Sequence, residues 1–270
     1  MTTAAVPLPR LKLRLALSPN TGLGALAIVS FCLLWEVVAR FLVHNPLFLP
    51  PITTVLQRAV ELWQTRELQP HVLTSLQEFL LGFGFATLCG ILFAIAMAAS
   101  ARLRAFFDPW VSMLYSTPLV ALGPLFILWF GLGLTAKVWV IFLVSVFPIL
   151  INTLVGLTTT DASLIEAARS FGANGLQIYT KIRLPSALPF IIAGLRLGVA
   201  RGLVGVVVAE LFGSRSGLGY LILVSAQTFD AASLFVSVLI LAASGVISVE
   251  LLKWLERRLA PWRFLRDAAE

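Results

Sequence analysis

The sequence predicts an all-α integral membrane protein of about six transmembrane helices, with one long polar loop between the fourth and the fifth. Three observations carry that expectation: a strongly apolar composition, four long runs without a charged residue, and an uneven sorting of lysine and arginine between the two sides.

Of the 270 residues, 59% are hydrophobic and 12% charged, against roughly 45–50% and about 25% in soluble domains. That balance excludes a soluble globule. The uncharged runs cover residues 79–101, 109–136, 138–160 and 231–249. Each reaches the roughly 18 residues of a transmembrane candidate, because about 20 residues rising about 1.5 Å each cross a hydrocarbon core of roughly 30 Å. Two further spans carry charges: residues 21–43, with Glu36 and Arg40, and residues 185–212, with Arg196, Arg201 and Glu210. Residues 1–20 show no clear small-residue cleavage site of the kind a signal peptide needs, so they are expected to stay as a cytoplasmic tail. The expected organisation is that tail, a membrane domain over 21–260 and a second cytoplasmic tail over 261–270.

The net charge of +7 is explained by topology rather than by nucleic acid. With the N-terminus inside, the cytoplasmic segments hold Arg10, Lys12, Arg14, Arg102, Arg104, Arg169, Lys181, Arg183, Lys253, Arg257, Arg258, Arg263 and Arg266. The opposite side holds only Arg40, Arg58, Arg66, Lys137 and Arg215, which is the excess of basic residues expected inside. Cys32 and Cys89 fall within apolar spans and read as small packing side chains rather than a disulfide. His44 and His71, far apart in an external segment, suggest neither a metal site nor a catalytic base.

Between the first two spans, Pro50-Pro51 stops the first helix, and Ile52, Leu56, Ala59, Val60 and Trp63 then mark one face of a short amphipathic helix. The third span holds Pro118, Gly123, Pro124, Gly131 and Gly133, which predict a kink, with a broken helix lining a cavity as the alternative. Residues 158–189 are the longest polar interval on the cytoplasmic side. Asp161 is placed to cap a helix over 162–171, Gly172 to end it, and a second short helix is expected over 176–182 before Pro185 and Pro189 redirect the chain.

Within that loop the stretch EAARSFGANGLQIYTKIRLP sets Glu166, Ala167, Ala168, Gly172, Ile182, Leu184 and Pro185 in one register. Two alanines permit close approach, Gly172 allows a sharp turn and Pro185 restricts the return, so a helix lying on the membrane surface would suit a groove on a soluble partner. The stretch resembles the EAA motif of permease subunits of binding-protein-dependent ABC importers: E-A-A, three residues, G, nine residues, I, one residue, L-P. The resemblance extends over nearly the whole chain. It is closest to the branch importing sulfonates, taurine, nitrate and related compounds, through FLPPITTVL, DPWVSMLYSTPLVALGPLFILWFGLG, FPILINTLVGL and GLGYLI.

That resemblance implies a permease subunit of the bacterial inner membrane. The loop would act as a coupling helix, with Glu166 meeting a basic residue of the ATPase. The implied partners are two ATPase subunits, a substrate-binding protein and a second permease copy forming a homodimer, in contact with membrane lipid and without nucleic acid. The solute would be small and anionic, of the sulfonate or nitrate kind, with a thiamine precursor or another organic nutrient as the alternative. No GxxxxGK[ST] loop occurs, so ATP and Mg are expected on the partner, with no cofactor, metal or catalytic group in this chain.

The fifth span adds a question of charge. Gly194, Gly198, Gly202 and Gly205 form a small-residue face suited to close packing. Arg201 is expected to turn inward with that face, near the midplane, and Glu210 to lie towards the outer end; the direction of Arg196 is left open. An arginine in lipid costs at least about 2.5–3.5 kcal/mol on insertion scales. Arg201 is therefore read as attracting an anionic solute or pairing with an acid, with Glu210 as a second residue of the path. A static ion pair or a snorkelling side chain is the plainer alternative. Glu36 and Arg40, four apart, read as a structural pair. The rival functions are an ATP-independent secondary transporter or channel, against which the loop motif speaks, and a membrane enzyme, for which no catalytic cluster is visible.

Overall fold

The structure is a computed structural model that describes residues 19–260. The two expected tails, with Arg10, Lys12, Arg14, Arg263 and Arg266, lie outside the described residues apart from the last two of the first tail. Among the described residues every regular element is helical. Five helices are long and apolar enough to cross a membrane, six when one bent pair is counted as a span.

Residues up to Thr54 form one compact unit and those from Val55 another. In the first, α1 (Pro19–Val37) continues as a π-helical turn over Val38–Val43 and stops at His44, which adopts a left-handed conformation with φ 55°. Its flanks carry Leu26, Ile28, Phe31 and Leu33 exposed, as a helix facing lipid requires. Glu36 and Arg40 pair at 2.6 Å. The same carboxylate accepts the hydroxyl of Thr53 at 2.9 Å and its N–H at 3.2 Å, while Trp35 Nε1 donates to the Pro50 carbonyl at 3.0 Å. The diproline bend is thus held by side chains of α1 as well as by its own stiffness.

The second unit takes in most of α2 (Ile52–Gln64), then α3 (Leu68–Ala99), α4 (Ala101–Ser116), α5 (Gly123–Phe130), α6 (Leu134–Thr158), α7 (Ala162–Ser170), α8 (Gly175–Ile178), α9 (Leu184–Leu211), α10 (Leu218–Gln227) and α11 (Ala231–Leu259). Its centre is α6, which packs against α3 on one side and α9 on the other; α10 and α11 lie on α9. Small residues permit this approach. A Cβ at Gly82 of α3 would stand 2.6 Å from Ile141, and one at Gly198 of α9 would stand 2.9 Å from Ile149, both on α6. Gly194, Gly202 and Gly205 meet Asn152, Ser145 and Val144 in the same way, so the glycine face read from the sequence is the α6–α9 seam.

Three sequence expectations are corrected here. The third span is broken rather than kinked: α4 and α5 meet at 80° across the short 3₁₀ turn Leu119–Leu122. Thr117 is extended, as the residue before a proline prefers, and Pro124 occupies the first turn of α5, so two prolines end one helix and begin another. The second span starts at Leu68, well before its uncharged run, which puts His71 on a helix instead of in a loop. Pro185 and Pro189 do not redirect the chain. Residues Gly175–Leu211 form one continuous helical segment through a π turn at Tyr179–Arg183, with Pro185 just after that turn and Pro189 inside α9.

Candidate functional site

The polar loop stands at the end of the unit where α6 finishes and α9 begins. Asp161 accepts the Ser163 N–H at 2.9 Å and starts α7; this hydrogen bonding from Ser163 holds its carboxyl below the usual aspartate value. Gly172 ends the helix in the left-handed region at φ 78°. Asn174 and Gln177 then form a reciprocal capping box that opens α8. These caps fix where the two short helices begin, and Gly172 fixes where the first ends.

Its motif residues divide into two groups. No residue of α7 is buried; Glu166 and Ala167 are exposed, and Phe171, which follows, is 92% exposed. The Glu166 carboxylate forms no ion pair with any described residue, and Arg169, one turn on, does not take it. Ala168 is half-buried. Ile182, Leu184 and Pro185 are half-buried at the root of α9, where Leu184 packs on the main core cluster with Ala187 and Leu157. One half of the motif thus presents a bare helix and the other half anchors it to the spans.

Arg201 projects from α9 into a cavity of about 220 Å³ lined also by Tyr115, Thr117, Pro118, Phe147 and Pro148. The cavity lies where the third span breaks. The guanidinium makes no hydrogen bond or ion pair with any described residue. Arg196, whose direction the sequence left open, pairs with Glu256 of α11. Glu210 is 0% exposed, accepts Ser75 Oγ at 2.6 Å and the Gly219 N–H at 2.5 Å, and stands at the end of α9 remote from α7. Arg201 and Glu210, expected together on a solute path, are therefore not brought together.

Sequence reasoning missed the cluster around Glu210. Lys137 of α6 donates to Glu78 Oε1 of α3 at 2.6 Å and to Ser214 Oγ at 2.7 Å. A cavity of about 530 Å³ beside it is lined by Thr74, Gln77, Glu78, Lys137, Ser214 and Arg215. The available signal was the isolation of Lys137 between two uncharged runs, which calls for an acidic partner. Among the described residues no group of histidine, cysteine and carboxylate side chains is arranged to hold a metal ion.

Apolar spans around a tightly packed centre, a break lined by one arginine and a bare surface helix at one end define the membrane-embedded subunit of a transporter. The chain belongs to the family described as binding-protein-dependent transport system inner membrane component, which it matches over residues 86–261. It is 36% identical, over 85% of its length and 83% of the other, to a protein of Bacillus subtilis (strain 168) named as an aliphatic sulfonates transport permease, SsuC. The taurine transport system permease protein TauC of Escherichia coli (strain K12) is 34% identical over 94% of both chains. The formylaminopyrimidine transport permease protein ThiX of Halalkalibacterium halodurans is 31% identical over 85% of this chain and 91% of that one. A chain of the MetNI methionine ABC transporter, solved in inward-facing conformations, shares the fold with a TM-score of 0.60 at 20% identity, over 71% of this chain and 95% of that chain. The protein is thus a permease subunit of an ABC importer for a small solute, from the sulfonate and taurine branch, and a transport subunit rather than an enzyme.

Proposed function

We propose that two copies of this chain form the path for a small anionic solute of the sulfonate kind. Two ATPase subunits, which bind ATP and Mg, engage α7, and a substrate-binding protein delivers solute at the opposite end. In this reading both tails and α7 face the cytoplasm. The observation that carries it is α7 itself: a helix with no buried side chain, bearing Glu166, Ala167 and Ala168 of the motif, with a carboxylate unpaired among the described residues, joined through Ile182, Leu184 and Pro185 to the foot of a membrane span. A displacement of α7 by its partner passes directly into α9. The exposed guanidinium of Arg201, which lines the cavity at the broken span without a partner among the described residues, supports an anionic solute there, since a cation within a membrane span needs a partner or water.

The test is uptake of radiolabelled taurine and of a short alkanesulfonate by proteoliposomes holding the permease with its ATPase. Glu166→Lys reverses the charge offered to the partner. Gly172→Pro demands φ near −65° where the chain sits at 78°. Both are expected to lower ATP-driven uptake about tenfold or more with membrane insertion unchanged, a loss of roughly 1.4 kcal/mol in coupling. Normal uptake by both variants would remove α7 from the coupling role. Uptake driven by an ion gradient without any ATPase would instead favour a secondary transporter.

A further inference from the structure

Between α9 and α11 the surface of the helical unit carries a groove of about 640 Å³. Ala200, Leu203 and Val207 of α9 and Ala242, Gly245 and Val249 of α11 line it. Its floor lies where the two helices touch: a Cβ at Gly245 would stand 3.1 Å from Leu203 Cδ1. The alanines and the glycine offer little side chain, so the groove stays open above that contact. From Val238 to Lys253 it follows α11 for 15 residues, about 22 Å at about 1.5 Å each. That exceeds half of a hydrocarbon core of roughly 30 Å.

The lining is apolar except at one end. Glu250 and Lys253 close the groove on the side where α9 begins, which is the side of α7, and they pair with each other at 2.6 Å. One turn further along the same face of α11 comes Arg257, exposed and without an ion pair among the described residues. Arg196 continues the α9 face one turn before Ala200 and pairs with Glu256. On the flank, Arg258 lies over the ring of Trp254 at 5.3 Å, and that tryptophan is exposed, as suits a side chain at the membrane surface. Arg196, Lys253, Arg257 and Arg258 thus outnumber Glu250 and Glu256 at this end. The other large apolar groove, about 720 Å³ across α3, α4 and α6, has no charged side chain in its lining.

We propose that the groove between α9 and α11 binds one anionic phospholipid of the leaflet on the α7 side. An acyl chain lies along Val249, Gly245 and Ala242, and the phosphate is held by Arg257 and Lys253. Basic recesses between membrane helices favour anionic headgroups over neutral ones for this reason, and lysine and arginine near helix ends reach the surface by extending along it. Free phosphate has no chain to fill the apolar length. A second copy of this chain suits the groove less well. About a two-fold axis along the membrane normal, equivalent residues sit at equal depth, so Lys253 and Arg257 of both copies would be brought to one level, where like charges repel. A lipid phosphate supplies the missing negative charge at that level instead.

Native mass spectrometry tests this on the full-length permease with its ATPase, released in mild detergent from vesicles of equal phosphatidylglycerol and phosphatidylethanolamine. One phosphatidylglycerol per permease chain should survive release, in preference to phosphatidylethanolamine. Lys253→Gln combined with Arg257→Gln is expected to weaken that preference about fivefold for each cation removed. Val246→Trp, at an exposed lining position, fills the groove without entering the core and should lower retention of both lipids. Equal retention of the two lipids by the wild type overturns the proposal whether or not the variants fold. So does a preference that survives loss of both cations, or retention that survives Val246→Trp. A disulfide between two Val246→Cys chains in native membranes, with Cys32 and Cys89 changed to serine, would give the groove to a second copy and overturn it as well.

Discussion

Arg201 and Glu210 show how differently two charges on one helix can be used. Both interrupt the same apolar span, yet one ends in a cavity without a protein partner and the other in a network joining α3, α9 and α10. The first is the residue to test for solute recognition. Replacement of Arg201 by Gln removes a charged donor, whose hydrogen bonds are worth about 1.5–3 kcal/mol. Uptake of an alkanesulfonate at low concentration should therefore fall about ten- to a hundredfold, chiefly through KM, with the ATPase coupling through α7 unchanged. An unchanged KM would leave the arginine a static role beside the broken span. Glu78, placed in no site by the sequence reading, could not be recognised there because its partner Lys137 is separated from it by 59 positions. Only packing brings them together.

At the scale of the elements, the seam between α6 and α9 rests on glycine. Gly198 has Ile149 where a Cβ would need to be, at 2.9 Å, with Phe83 close behind. Gly198→Leu overpacks this contact and is expected to cost about 1–3 kcal/mol, or more if the helices cannot separate, read as a lower midpoint of thermal unfolding in detergent. Gly84, with nothing near its missing Cβ, is the matched control and should tolerate alanine. The four-residue glycine spacing was legible in the sequence because a helical face repeats at that interval. The break of the third span was less so. Prolines at 118 and 124 announce a disturbance, but the 80° angle between α4 and α5 depends on how Leu119 and Val120 settle against the α6 core.

For the whole molecule, orientation across the membrane is the property on which the coupling role depends. The proposed orientation, with α7 on the cytoplasmic side, rests on the excess of lysine and arginine in alternate connections. In a background with Cys32 and Cys89 changed to serine, Ser170→Cys places one thiol on the exposed surface of α7. Intact cells should label it with a membrane-permeant thiol reagent and not with an impermeant one, and inverted vesicles should label it with both. Labelling of intact cells by the impermeant reagent would invert the topology and remove α7 from the reach of an ATPase.

The sequence by itself determined the class of fold, the approximate place of the spans, the glycine seam and the motif from Glu166 to Pro185. Each of these is written in local composition or at fixed short spacing: uncharged length for a span, a helical repeat for a face, a cap and a glycine for a helix end. Tertiary structure decided how charges are matched. It paired Arg196 with Glu256, left Arg201 lining a cavity without a partner among the described residues, joined Glu78 to Lys137 and set Glu210 against the start of α10. Electrostatic partners in a low-dielectric interior are selected by which helices pack side by side, and that choice is not encoded in the spacing of any one segment.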